Sequence, residues 1–281
     1  MKKEKGKRTR EEIKYPYIIF KVEDSSYCVN SKYISSIIQL PHYDKVPAAP
    51  ANVTGMFRHR DQVIQMLDLR ITFGFKSMTE ECDEFIAMIE ARKQDHINWV
   101  RELERTILSG ENFQLSKDPH QCALGNWYDN FSTSNNSVAF HLRKIEEPHL
   151  RLHQAAEEVE RCKKECGSCS RDECLKDILR RVKEECMPVI LTLLDETKEI
   201  FRSNIYREMV LLLDGKKWGI VVDEIAGVEE LEVIERRERD PMMNQSSYIQ
   251  NVLESSKCDD LIFELNIESL SEKMKEIENM I

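Results

Sequence analysis

Apolar residues recur along this chain in two rhythms, and the rhythm changes twice. From about Tyr15 to Lys76 they come in short runs. Tyr17-Ile18-Ile19-Phe20-Lys21-Val22 is rich in strand-forming residues and partly alternates. The polar Asp24-Ser25-Ser26 and then Tyr27-Cys28-Val29 predict a hairpin. Pro47, Pro50 and Gly55 punctuate the next stretch, and Val63-Ile64-Gln65-Met66-Leu67 predicts a strand ending at Asp68-Leu69. Several short strands with regular turns predict a small barrel. From about Ser77 to Ser203 the period becomes helical. Phe85, Met88, Ile89, Trp99, Leu103 and Ile107 share a face, with Gly110 as a C-terminal stop. Phe140, Ile145, Leu152 and Val159 predict a second helix kinked at Pro148; Gly167-Ser168 breaks it, and Leu175 to Ile200 resumes. An antiparallel four-helix bundle is the expected arrangement. From about Ile205 strands return. Met209 to Leu213 leads into Asp214-Gly215, a hairpin signal, and Trp218 to Val222 follows. Leu261 to Leu265 is a late strand, and Ser271 to Met280 predicts a closing helix.

The order strands, helices, strands is explained by a helical domain inserted at a surface loop of a β scaffold. The expected division is a basic disordered tail (1–14), a first scaffold half (15–76), the insert (77–204) and a second scaffold half (205–281). The fold class is α+β and multidomain.

Charge and cysteine content narrow the function. The formal net charge of −10 argues against a general nucleic-acid binder. No run of about 18 apolar residues exists to span a membrane. The charged start lacks the apolar core of a signal peptide. Nine cysteines in a chain read as unsecreted suggest metal or redox chemistry rather than a disulfide framework. No phosphate-cradling loop and no nucleophile–base pair with motif support is present, so a non-enzyme is expected.

The two β regions carry more specific patterns. Val53-Thr54-Gly55-Met56-Phe57-Arg58-His59-Arg60-Asp61-Gln62-Val63 runs into a strand ending Asp68-Leu69-Arg70. Gly215-Lys216-Lys217-Trp218-Gly219-Ile220-Val221-Val222-Asp223-Glu224-Ile225 forms a second motif. Tyr248-Ile249-Gln250-Asn251-Val252 and Asp259-Asp260-Leu261 form a third. In this order they resemble the signature of CheW-type coupling proteins. The resemblance implies two five-stranded SH3-like β-barrels without an active site. It also implies a scaffold linking chemoreceptor cytoplasmic tips to a CheA-type histidine kinase. Arg60 matches the family's receptor-contact arginine, with a structural salt bridge as its alternative role; Gly55, Asp68 and Gly219 serve turns and packing. Arg58, Asp61, Gln65 and Asn251 depart from the pattern. A positive φ at the Asp61 position would be tolerated less well by Asp than by Gly.

The helical region carries candidate metal ligands. Zinc prefers four tetrahedral nitrogen or sulfur ligands. His149 and His153, four apart, fall on one face of a predicted helix. Cys122, in Cys122-Ala123-Leu124-Gly125-Asn126-Trp127, supplies a soft thiolate, and His96, in His96-Ile97-Asn98-Trp99, a third imidazole. These segments resemble the chemoreceptor zinc-binding domain, CZB. The resemblance implies one Zn²⁺ held by His96, Cys122, His149 and His153, with zinc or hypochlorous-acid-type oxidants as signals. His120 and His141 are rival ligands, expected to be solvent-exposed. The residues between His149 and His153 include no general base, so zinc hydrolysis is not expected.

Cys162, Cys166, Cys169 and Cys174 form a second cluster around Gly167, outside the CZB motif. A helical hairpin could converge the four sulfurs. Four thiolates suit a second Zn²⁺ or an iron–sulfur cluster, while reversible disulfide chemistry and no special role stay open. Cys28, Cys82, Cys186 and Cys258 are expected to be buried. The leading expectation is a non-catalytic chemotaxis adaptor, cytoplasmic and at receptor arrays, peripheral to the membrane only through receptors. The alternative is a redox or iron–sulfur protein using the CheW-like scaffold for localisation.

Overall fold

A computed structural model describes residues 14–133, 136–203, 207–234, 248–255 and 258–279. Residues 1–13 of the expected basic tail lie outside the described residues, as do the side chains of Cys169 and Cys258. The chain folds into two units: residues up to 77 together with those from 206 onward, and residues 78–205.

The first unit is built from two sheets. Its strands are β1 (Tyr17–Val22), β2 (Ser25–Asn30), β3 (Ile34–Gln39), β4 (Val53–His59), β5 (Gln62–Asp68), β6 (Met209–Leu213), β7 (Trp218–Val222), β8 (Glu224–Glu229), β9 (Glu232–Val233), β10 (Ile249–Ser255) and β11 (Cys258–Leu265). The six-stranded sheet runs β8-β1-β2-β11-β10-β9 and the five-stranded sheet β3-β6-β7-β5-β4. Neither closes into a barrel among the described residues, so the expected pair of five-stranded barrels is replaced by open sheets of six and five strands. Each sheet takes strands from both sides of the insert. β2 pairs with β11 and β5 with β7, both in parallel. Sequence patterning gives the hairpins β1–β2 and β6–β7, but these long-range pairings leave no local signal.

Phe20, Leu67, Leu211, Ile220 and Leu265 form a core completed by a closing helix, Ile267–Glu278. Asn266 caps that helix by accepting from the Ser269 N–H at 3.1 Å. Its Ile267, Leu270, Met274 and Ile277 are buried at helical spacing. Asp68 ends β5 and accepts from the Ile71 N–H, capping the short helix α1 (Leu69–Thr72). Gly55 leaves room for a neighbouring segment, because a Cβ there would sit 2.6 Å from the Asp44 carbonyl oxygen. Gln65 uses the N–H that a proline would lack, donating to the Lys217 carbonyl across the β5–β7 pair at 2.9 Å.

Two of the scaffold motifs meet through a buried ion pair. Arg70 Nε and Nη2 donate to Asp223 Oδ1 and Oδ2 at 2.7 and 2.9 Å, and Nη1 lies 2.9 Å from Glu23 Oε1. Arg70 is buried, and this forked geometry ties residues before the insert to residues after it. Arg60 stands exposed at the β4–β5 turn with φ +53°. The positive φ considered for position 61 therefore falls one residue earlier, on an arginine.

The second unit contains α2 (Met78–Ser109), α3 (Ala123–Asn130), α4 (Asn136–Arg143), α5 (Glu146–Glu165), α6 (Ser168–Arg181) and α7 (Met187–Arg202). Gly110, at φ +75°, ends α2 as expected. A π turn at Val182–Cys186 joins α6 to α7. The expected four helices are thus three long rods (α2, α5 and α6 with α7) plus two short helices. Pro148 does not kink a helix; it lies in the first turn of α5, where its missing N–H costs no helical hydrogen bond. Cys82, Phe85, Ile89, Val100 and Leu103 of α2 pack against α5 and α7, and Phe85 stacks on Phe201 with centroids 3.9 Å apart. Cys28 and Cys82 are buried as expected, whereas Cys186 is only half-buried.

Candidate metal centre

His96, His149 and His153 stand where the core-facing stripe of a helix normally places apolar residues. On α2 the buried positions run Phe85, Ile89, His96, Trp99, Val100 and Leu103. On α5 they run His149, Leu152, His153, Ala156 and Val159. Three imidazoles are therefore carried into the bundle core by its own amphipathic pattern, and His153 has no exposed surface. Unsatisfied polar groups at such positions are destabilising.

The fourth group comes from the turn before α3. Cys122 is the N-cap of α3, and its Sγ accepts from the Gly125 N–H at 3.3 Å. Gly125 has a steric reason to lack a side chain. A Cβ there would lie 1.8 Å from the Pro119 carbonyl oxygen, so only glycine lets the 119–120 backbone close over α3. That close approach brings the thiol to the imidazoles. Cys122 Sγ lies 3.2 Å from His149 Nε2 and 3.9 Å from His96 Nε2, and the two Nε2 atoms are 3.0 Å apart. One donor atom from each of His96, Cys122, His149 and His153 falls within 4.8 Å of the others. Zinc with nitrogen bonds of ~2.0–2.1 Å and a sulfur bond of ~2.3 Å spaces tetrahedral ligands roughly 3.3–3.6 Å apart, so the donor set and its scale fit this ion.

The surroundings orient the donors. His96 Nδ1 donates to the Arg92 carbonyl at 2.8 Å, leaving a lone pair on Nε2, the nitrogen that faces the cluster. Trp99 lies against the His153 ring with centroids 4.9 Å apart and donates through Nε1 to the Ser116 carbonyl at 2.9 Å. Both ring nitrogens of His153 are buried without a hydrogen bond of acceptable geometry, although the Ser116 and Lys117 backbone lies close. This orphaned pair is the clearest sign of a missing partner.

Burial, reinforced by the neighbouring imidazoles, pushes His149 down to about 3 and His153 to about 4. Burial also lowers His96. All three are neutral near pH 7, the state that can bind a metal. Burial raises the Cys122 thiol, so its ligand form calls for a compensating cation.

The rival histidines divide. His120 is exposed, as expected, and its Nδ1 lies 2.9 Å from Asp129, which raises its pKa. His141 is buried rather than exposed, with Nε2 3.1 Å from Glu196 in poor hydrogen-bond geometry. Neither belongs to the donor cluster. Gly125, Arg92 and Ser116 shape the surroundings of the cluster and were not singled out from sequence; only the glycine left a signal, within the motif around Cys122.

Of the second cysteine cluster, Cys162, Cys166 and Cys174 come together, again with sulfurs within 4.8 Å of one another. Burial and then the adjacent thiols push Cys162 up to about 12.

The described residues thus form a mixed two-sheet unit interrupted by a helical unit that holds a Cys/His₃ cluster with the donor set for a metal ion. Family models match two stretches of the chain. Residues 16–108 match the family model of the CheW-like domain, and residues 96–160 match that of the chemoreceptor zinc-binding domain. The chain thus carries segments similar to the two domain types that its motifs resemble, and the match to the zinc-binding domain spans all four members of the cluster. Both families are scaffold or sensor domains rather than catalytic ones. The CheW-like match covers β1 to β5 and extends into α2. No curated protein matches the chain. Among solved structures, the scaffolding protein TtCheW from Thermoanaerobacter tengcongensis is similar at 9% identity and a TM-score of 0.38, over 94% of this chain and 91% of that one. No helix of the described residues is long and apolar enough to cross a membrane.

Proposed function

We propose that this protein is a non-catalytic adaptor that couples chemoreceptor cytoplasmic tips to a CheA-type histidine kinase, with one Zn²⁺ held by His96, Cys122, His149 and His153. The observation that carries the reading is the Cys/His₃ cluster buried in an insert that interrupts a CheW-like scaffold. Four protein donors leave no open position, which suits a structural or regulatory ion rather than a hydrolytic one. Arg60, exposed at a hairpin tip and without an ion pair of its own among the described residues, is a receptor-contact residue in this reading. The protein works in the cytoplasm at receptor arrays and reaches the membrane only through receptors.

The bound zinc supplies the cation that three neutral imidazoles and a thiolate require. The side chains do the rest. Arg92 fixes the His96 tautomer, Trp99 wedges the His153 ring, and Gly125 holds Cys122 at the core. Attack of the Cys122 thiolate sulfur on hypochlorous acid forms a sulfenic acid and releases chloride, removing one ligand. Loss of a ligand or of zinc loosens the helical unit, because metal binding and folding are linked. That loosening is the signal, and it reaches the scaffold through the two chain connections that flank the insert.

The test is reconstitution with receptor signalling tips and kinase. Zinc-loaded protein is expected to support receptor-dependent kinase autophosphorylation, with a changed output after zinc removal or Cys122→Ser. Failure to bind either receptor or kinase contradicts the adaptor reading. Identical kinase output with and without zinc contradicts the regulatory role.

A further inference from the structure

We propose that the α5–α6 hairpin carries a second metal site, in which Cys162, Cys166 and Cys174 bind one thiophilic divalent cation of the zinc class. Three features of the hairpin support it.

The first is convergence. Cys162 lies one helical turn before Cys166, the C-cap residue of α5, so their side chains share a face. Cys174 returns from α6 to the same place, and all three sulfurs lie within 4.8 Å of one another. A disulfide joins two sulfurs and leaves the third unused, whereas a soft cation uses all three.

The second is a built turn. Cys162 Sγ contacts the Arg171 carbonyl at 3.7 Å, and Arg171 Nη2 donates to the Cys166 carbonyl at 3.0 Å. The chain ends of the two helices are thus fastened where the sulfurs meet. The buried Arg171 Nε has no acceptor. A guanidinium held at this turn offsets the excess negative charge of three thiolates around a divalent ion.

The third is space. A hollow of about 190 Å³ adjoins the three cysteines and is also lined by Glu158, Glu165 and Asp177. It has room for an ion with a water or carboxylate oxygen as fourth donor. Cys166 and Cys174 are both partly buried, so two of the three donors are reachable from solvent, against Cys122 alone in the first centre. An accessible thiolate site exchanges its ion faster than a closed core site, which makes this the more labile of the two.

Metal content and cobalt spectra of the full chain, purified without oxygen, test the proposal. Wild type is expected to hold about two metal ions per chain, and Cys122→Ser about one. With Co²⁺ loaded, Cys122→Ser is expected to keep the near-ultraviolet sulfur-to-cobalt absorption of a several-thiolate site. Cys162→Ser/Cys174→Ser is expected to lose that absorption and one ion while keeping the other. This separates the two centres: loss of the first leaves the hairpin signal intact, and the reverse. A Cys122→Ser chain that binds Co²⁺ without thiolate absorption, or not at all, overturns the proposal even if the double variant fails to fold. Iron with acid-labile sulfide at the hairpin, or only one free thiol among the three in the metal-free wild type, overturns it in favour of a cluster or a disulfide.

Discussion

At the scale of single residues, the proposed metal centre depends on side chains outside the donor set as much as on the four donors. In the proposed site His153 is the most exacting position, because both ring nitrogens are buried without a hydrogen bond of acceptable geometry. His153→Ala is expected to lower zinc affinity by at least ~10–100-fold, the range typical of losing even an orienting partner, as measured by competition with a chelating dye. Gly125 tests the supporting frame. Gly125→Ala places a methyl 1.8 Å from the Pro119 oxygen and is expected to destabilise the helical unit by ~1–3 kcal/mol, read as a lower thermal midpoint, with weaker zinc binding. An unchanged midpoint would mean that the 119–120 backbone moves aside freely. Arg60 presents the opposite case, a residue kept in an unfavourable backbone region. Arg60→Gly is expected to stabilise the scaffold slightly, by about 0.5–1 kcal/mol, while weakening receptor-tip binding. Equal receptor affinity would remove Arg60 from the proposed contact. The four residues that converge in the cluster were legible in the sequence because they sit in short local motifs. The buried state of His141, the positive φ on Arg60 and the carbonyls that orient the rings were not, since each depends on what packs from elsewhere in the chain.

At the scale of elements, the hairpins and the long helix could be read from periodicity, while their partners could not. β1–β2 follows from alternation around a polar turn, and α2 from its helical stripe and Gly110. Pairing β1 with β8, or β5 with β7, is decided by residues 150 or more positions away, for which patterning carries no information. The buried Arg70–Asp223 pair marks one such long-range junction. Arg70→Ala strands a buried carboxylate and is expected to cost ~3–5 kcal/mol in urea unfolding of the scaffold. A cost below ~1 kcal/mol would show that Asp223 finds water instead.

Glu208, just before β6, gives the scaffold a pH signature. Burial first, then Asp68 and Asp223, push it up to about 8. The folded state therefore keeps a proton that the unfolded chain releases near ~4.3, and stability falls as pH rises between those values. Asp68, raised to about 6 mainly by burial, adds to the lower part of that window. Glu208→Gln is expected to flatten the decline and to gain most above pH 8. A wild-type stability curve that rises from about pH 5 to pH 8 and is unaltered by the substitution contradicts this assignment.

At the scale of the whole molecule, the chain's organisation follows from where the insert falls. Both sheets are assembled from strands on either side of it, so neither flanking half contains a complete sheet. The helical unit has its own core and its own Cys/His₃ cluster. Strands, helices, strands was readable as an insertion, and the family models match residues 16–108 and 96–160, where the first CheW-like motif and the CZB motifs lie. Closed barrels were expected because short strands with regular turns suggest them, yet open sheets also satisfy that local pattern. The account as a whole turns on zinc in the core of the insert. The most direct test is zinc content and affinity of the full chain carrying Cys162→Ser/Cys174→Ser, which silences the hairpin, compared with the same chain also carrying Cys122→Ser. The expected result is about one tightly held zinc in the first and a large loss of zinc and of helical stability in the second. Equal zinc content and equal stability in the two chains would contradict the assignment of His96, Cys122, His149 and His153 as a metal centre.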